Sequence, residues 1–110
     1  LINMLILKQV MRSCMMRFAN LKFQNTTVPK GVQARVGFGK YELSIVKNEV
    51  SYGNKQGKYE IAVFEGDDQV ELPGITEPGD TVKGFLTEKD VDGIMLKMVF
   101  VTRKDGVNVE

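Results

Sequence analysis

The chain has 110 residues, 43 % of them apolar and 26 % charged, with a formal net charge of +1. That length bounds it to one domain of ordinary globular composition, and the near-balance of charge excludes the lysine and arginine excess of a general nucleic-acid binder. It contains no His and a single Cys, Cys14, which excludes histidine-based triads, histidine or cysteine metal sites and an internal disulfide. A reducing cytoplasm is the compartment this cysteine usage implies.

Residues 1–14, LINMLILKQVMRSC, hold no acidic residue and are followed by the pair Met15 and Met16. Three readings fit this stretch. It is an extension upstream of a start at Met15 or Met16, an amphipathic helix with Lys8 and Arg12 on its polar side, or a signal peptide. The last would lack a basic region in front of its short apolar run and a small-residue cleavage site. No stretch approaches the roughly 18 apolar residues of a membrane span. We take 1–14 as an apolar leader, 15–98 as a single domain and 99–110 as a tail or short hairpin. Without Lys8 and Arg12 the formal charge becomes −1.

Beyond the leader the dominant period is two. NLKFQN puts Leu21 and Phe23 on one face, and GVQARVGF alternates Val32, Ala34, Val36 and Phe38 against Gln33, Arg35 and Gly37. YELSIVKN groups Tyr41, Leu43 and Ile45, and YEIAVFE groups Tyr59, Ile61 and Val63. Each reads as a half-buried antiparallel strand, with Gly and Asn between strands as turns require. A shorter strand is expected at Val70–Leu72, stopping before Pro73.

The period then changes. LTEKDVDGIMLKM spaces Val91, Ile94, Met95 and Met98 at i, i+3, i+4 and i+7, one face of a helix. Thr87, with Asp90 three residues on, makes an N-cap and an aspartate form of the capping box. The expected architecture is α+β: an antiparallel sheet of four to five strands with one C-terminal helix packed on one face. The end, VFVTRKDGVNVE, reads as a hairpin around Asp105–Gly106 or as a tail.

Candidate chemistry is sparse. SYGNKQGKYE, residues 51–60, has the residue types of a phosphate-binding loop, but Gly53 to Gly57 is one residue short of the G-x-x-x-x-G-K-[ST] pattern. Tyr59 stands where Ser or Thr is needed, and a strand follows instead of a helix N-terminus. The segment therefore reads as a connection between strands with glycine at positive φ, leaving Lys55 and Lys58 as anion contacts. The acidic cluster Glu65, Asp67, Asp68 and Glu71 lacks the ligand spacing of a calcium loop and reads as a solvated turn. Glu42 and Glu60 lie on the outer face of their strands with nothing to separate their pKa values. No nucleophile has an assignable base. No enzyme activity, cofactor or metal is expected.

Val46, Ala62 and Phe64 fall on the faces opposite their strands' main apolar sets. A sheet covered on one face leaves Val46 and Phe64 toward solvent, a surface for a partner or a second copy.

Several stretches taken in order resemble a group of small accessory proteins of tailed bacteriophages and prophages. They are GKYELSIV (39–46), SYG (51–53), GKYEIAVFEGD (57–67), PGIT (73–76) and GDTVKGFLTEKDV (79–91). The likeness covers roughly residues 16–98. Gly74, between Pro73 and Ile75, and a longer end after Met98 depart from the pattern. The resemblance implies a setting, an accessory role in the cytoplasm of a bacterial host, and supplies no catalytic residues. The leading expectation is a non-catalytic protein that binds a host protein and interferes with host defence. Its expected contact residues are Arg35, Val46 and Phe64 on the sheet and Tyr52, Lys55 and Lys58 in the loop. The alternatives are a sponge for a small nucleotide-like signal, in a pocket completed by a second subunit of a homo-oligomer, and a virion structural or assembly protein.

Overall fold

The computed structural model describes residues 17–106, so the leader 1–14, Cys14 and residues 107–110 lie outside the described residues. Strands β1 (Gln24–Thr27), β2 (Lys30–Phe38), β3 (Tyr41–Asn48), β4 (Tyr59–Glu65) and β5 (Asp68–Val70) form an antiparallel meander, each paired with the next. β6 (Val82–Leu86) pairs antiparallel with the first half of β4, while β5 occupies the second half. The chain then enters helix α1 (Glu88–Gly106). The fold is α+β, an open antiparallel sheet with one C-terminal helix.

The register shows why alternation dominates the sequence. Val36, Leu43, Val63 and Val70 stand opposite one another across four strands, and Ala34, Ile45 and Ile61 across three. Because side chains alternate faces along each strand, these rows share one side of the sheet. Against them α1 packs Val91, Ile94, Met95, Met98 and Val99, all buried. Each such large apolar side chain contributes about 1.5–3 kcal/mol on burial, so this layer is the main source of stability. Phe18, Phe23 and Tyr59 close one end of it, with ring centroids 5.0–5.6 Å apart.

The helix start forms as the sequence implies. Thr87 N–H donates to Asp90 Oδ2 at 2.9 Å, and Asp90 N–H donates to Thr87 Oγ1 at 3.1 Å. These two bonds satisfy donors that the first turn leaves without intrahelical partners. Gly93 lies inside the helix, where glycine costs about 1 kcal/mol relative to alanine. A Cβ added there meets nothing within 4 Å. Its presence is not explained by close packing.

Four expectations are corrected. The first strand begins at Gln24, so Leu21 and Phe23 precede it, although both still pack against the core. The short strand is Asp68–Val70, not Val70–Leu72. Leu72 instead starts a turn, its carbonyl accepting the N–H groups of Ile75 and Thr76 at 3.0 Å each, which buries Ile75. β6 was not foreseen, because its alternation is broken by a bulge opposite Tyr59–Ile61. Finally, helix continues through 99–106, where a hairpin or tail was expected. Packing of Val99 and Val101 against the core outweighs the weak helix propensity of that β-branched run.

Candidate functional site

The loop between β3 and β4 folds as a compact turn. Ser51 Oγ accepts the Asn48 N–H at 2.9 Å, and a short 3-10 turn, Asn54–Gln56, follows. Gly53 and Gly57 flank that turn in the left-handed region, at φ 94° and 71°. Gly53 O accepts the N–H groups of Gln56 and Lys58, at 2.9 and 3.0 Å. The segment is thus a strand connection with glycine at positive φ, as its sequence implies, and a strand follows it.

This loop lies directly against β6. Phe85 N–H donates to Tyr52 O at 3.2 Å. A Cβ on Gly84 would stand 2.4 Å from Tyr52 Cβ, and one on Gly53 2.9 Å from Phe85 Cα. Two main-chain segments, Tyr52–Gly53 and Gly84–Phe85, therefore approach at a distance that only glycine allows. Beside this contact two rings remain in water, Tyr52 at 59 % and Phe85 at 54 % exposure. Phe85 holds φ at 58°, a left-handed backbone for a bulky residue.

Phe85 separates two concavities. The smaller, of about 190 Å³, lies among Tyr52, Glu77, Asp80, Val82 and Lys83. The larger, of about 690 Å³, runs between β6 and α1 and has Leu86 and Ile94 in its wall. Three lysines border it, Lys83, Lys89 and Lys97, with one acid, Asp90. Asp90 titrates below the ordinary aspartate range, first because it accepts the Thr87 backbone N–H, then through the Thr87 side chain and the nearby charges of Lys58 and Lys83.

Glu60 sits behind the loop and accepts the Tyr52 N–H at 3.1 Å. Burial pushes its pKa up, opposed by that Tyr52 bond and assisted by the negative charge of Asp80. A raised folded-state pKa means the folded chain holds the proton more tightly than the unfolded chain. Stability contributed by protonation is present below the ordinary glutamate value of 4.5 and is lost as pH rises through the raised value. Glu60→Gln keeps an acceptor for Tyr52 and removes the charge. It is expected to gain stability relative to the wild type between about pH 4 and about pH 7, measured as paired urea midpoints. A constant difference across that range would refute the assignment.

The residues expected from the sequence divide between two regions. Arg35, Val46 and Phe64 lie on the sheet face opposite the helix. Arg35 pairs with Glu42, with Nη2 to Oε1 at 2.6 Å, and lies 5.2 Å over the Phe64 ring. Val46 and Phe64 are half-buried, whereas bare exposure was expected, and Ser44 between them is buried and accepts from Gln33 Nε2 at 2.9 Å. Long polar side chains lying across the face account for this cover. Tyr52, Lys55 and Lys58 share the loop, with Lys55 exposed on the 3-10 turn and Lys58 near Asp90. Arg35 is engaged by Glu42 and Phe64, and so is not gathered with the loop lysines.

The acidic cluster does not converge either. Glu65 pairs with Lys40 at 3.7 Å and Glu71 accepts the Gly79 N–H at 2.7 Å. Among the described residues, no group of three or more acidic or cysteine side chains could hold a metal ion. Among the same residues no helix is long and apolar enough to cross a membrane.

Phe85, Lys83, Lys89 and Lys97 were missed by sequence reasoning. Gly93, flanked by Lys89 and Lys97 at i−4 and i+4 on one helix stripe, is a signal for those two lysines; Phe85 and Lys83 on β6 carry none. The chain matches no known family, no curated protein and no solved structure.

Proposed function

We propose that this is a non-catalytic binding protein that engages a host protein through the Tyr52–Phe85 surface. The setting is the one its resemblance to phage accessory proteins implies: the cytoplasm of a bacterial host, with interference in host defence as the outcome. The observation that carries the reading is Phe85. A non-glycine residue in left-handed backbone costs about 1–2 kcal/mol, and a ring half in water recovers little of that through burial. Such local strain is concentrated where a side chain must be presented to a ligand. Exposed aromatic side chains are also the residues that most often anchor protein interfaces. Tyr52, held beside Phe85 by the close contact of Gly84, enlarges the presented surface.

The test uses Phe85→Gly, which suits the left-handed backbone and removes the ring. The variant is expected to unfold in urea no earlier than the wild type. It is also expected to lose a host protein that the tagged wild type retains after cross-linking in bacterial cells, identified by mass spectrometry. A host-protein profile identical for wild type, Phe85→Gly and Tyr52→Ala would overturn the reading.

A further inference from the structure

The edge of β6 away from β4 pairs with no other strand among the described residues. β6 pairs with β4 on one side, and at Val82 its carbonyl accepts the Glu77 N–H at 3.0 Å. From Lys83 to Leu86 its other edge pairs with no strand among the described residues. Those four residues form one wall of the 690 Å³ groove, and the α1 stripe Lys89, Gly93 and Lys97 forms the other. Leu86 and Ile94 are buried in the wall between them.

Three features of this groove point to one kind of occupant. An unpaired strand edge offers main-chain donors and acceptors to an extended segment, the mode by which peptides add to a sheet, and here they come from the residues beside Phe85, whose own N–H is taken by Tyr52 O. The border carries Lys83, Lys89 and Lys97 against the single acid Asp90, and Asp90 is already engaged by Thr87. Among the described residues none of these lysines forms a salt bridge; Lys97 Nζ reaches only the carbonyl of Gly74, at 3.4 Å. The groove is thus cationic, and its charge complement is acidic. The third feature is Gly93, whose missing side chain leaves open space on the groove side of the helix, although nothing packs close enough to require glycine.

We propose that the β6–α1 groove binds an extended acidic protein segment, which adds as a strand along Lys83–Leu86 with its carboxylates toward Lys83, Lys89 and Lys97. Gly93 provides the clearance. This deepens the binding reading above and rests on it for biological meaning, but the groove is testable alone. The edge from Lys83 to Leu86 is four residues long, the core of a short linear motif.

The probe is a fluorescein-labelled peptide of about eight residues alternating Val and Glu, titrated with the whole chain by fluorescence polarisation. Binding is expected with a Kd on the order of 10–100 μM, weakening severalfold as salt rises. The Val–Lys counterpart, and the Val–Glu peptide N-methylated at alternate residues to remove backbone donors, are each expected to bind at least about tenfold more weakly. Gly93→Gln, which favours helix and fills the clearance, is expected to bind at least about tenfold more weakly with an unchanged or higher urea midpoint. The double variant Lys89→Glu, Lys97→Glu is expected to reverse the preference toward the Val–Lys peptide.

Equal binding of the acidic and basic peptides, binding insensitive to Gly93→Gln, or no binding would overturn the proposal. So would preferential binding of an oligothymidylate of similar length, which would assign the groove to a single strand of nucleic acid. Any of these alongside a Phe85-dependent host protein leaves the binding function standing without its acidic segment. Specific peptide binding with no Phe85-dependent host protein does the reverse.

Discussion

Replacing Ile61 with alanine is expected to destabilise the protein by about 2–5 kcal/mol, enough to unfold a marginal domain near its working temperature. Ile61 is 0 % exposed, stands opposite Ile45 on β3 and Lys83 on β6, and belongs to the layer packed under α1. Removing its branched side chain leaves a cavity that two flanking strands and a helix cannot close without moving together. Val46→Ala supplies the contrast. Val46 lies on the opposite face, half-buried in the row with Gln33 and Glu60, and its truncation is expected to cost no more than about 1 kcal/mol. The pair therefore tests the register, since a slip of one residue exchanges the faces of a strand. Urea denaturation of both variants gives the answer, and similar costs at the two positions would refute the assignment of the covered face.

Those faces were legible from sequence because one physical demand governs them. Leu43, Ile45, Ile61 and Val63 must all reach the same buried layer, so alternation recorded their direction in the chain. Val91, Ile94, Met95 and Met98 recorded theirs through the helical period, and Thr87 with Asp90 recorded where that helix starts. The candidate site was much less legible. β6 carries Lys83 opposite Ile61 on the covered side, Gly84 under Tyr52 and Phe85 in left-handed backbone, so no simple period survives. Each departure answers a contact distant in sequence, and a local pattern cannot encode it. Tyr52 was placed in the contact set, but its neighbour Phe85 was not, because they meet only through the approach of loop and strand. Arg35 lies elsewhere. Its charge suggests a ligand contact, and the register sets it on the outer sheet face beside Glu42 and Phe64, apart from the loop lysines.

The approach of loop and strand gives the second large effect. Gly84→Ala is expected to cost about 1–3 kcal/mol, the range for forcing extra volume into a closely packed site. The added Cβ would stand 2.4 Å from Tyr52 Cβ and 3.1 Å from Tyr52 O. Neither atom is the end of a flexible side chain, so relief requires the loop backbone to retreat from β6. That retreat lengthens the Phe85 N–H bond to Tyr52 O and draws the Tyr52 N–H from Glu60, coupling the mutation to a carboxylate it does not touch. A merely unfavourable alanine would lack this dependence on Tyr52. Tyr52→Gly removes the opposing Cβ, and in the double variant the cost of Gly84→Ala is expected to fall by about 1 kcal/mol or more. Urea denaturation of the wild type, both single variants and the double variant closes the cycle. Additive costs would mean that the two residues do not meet. Without that contact, the loop would not hold Tyr52 beside Phe85, and the surface assigned to the partner would lose its structural support.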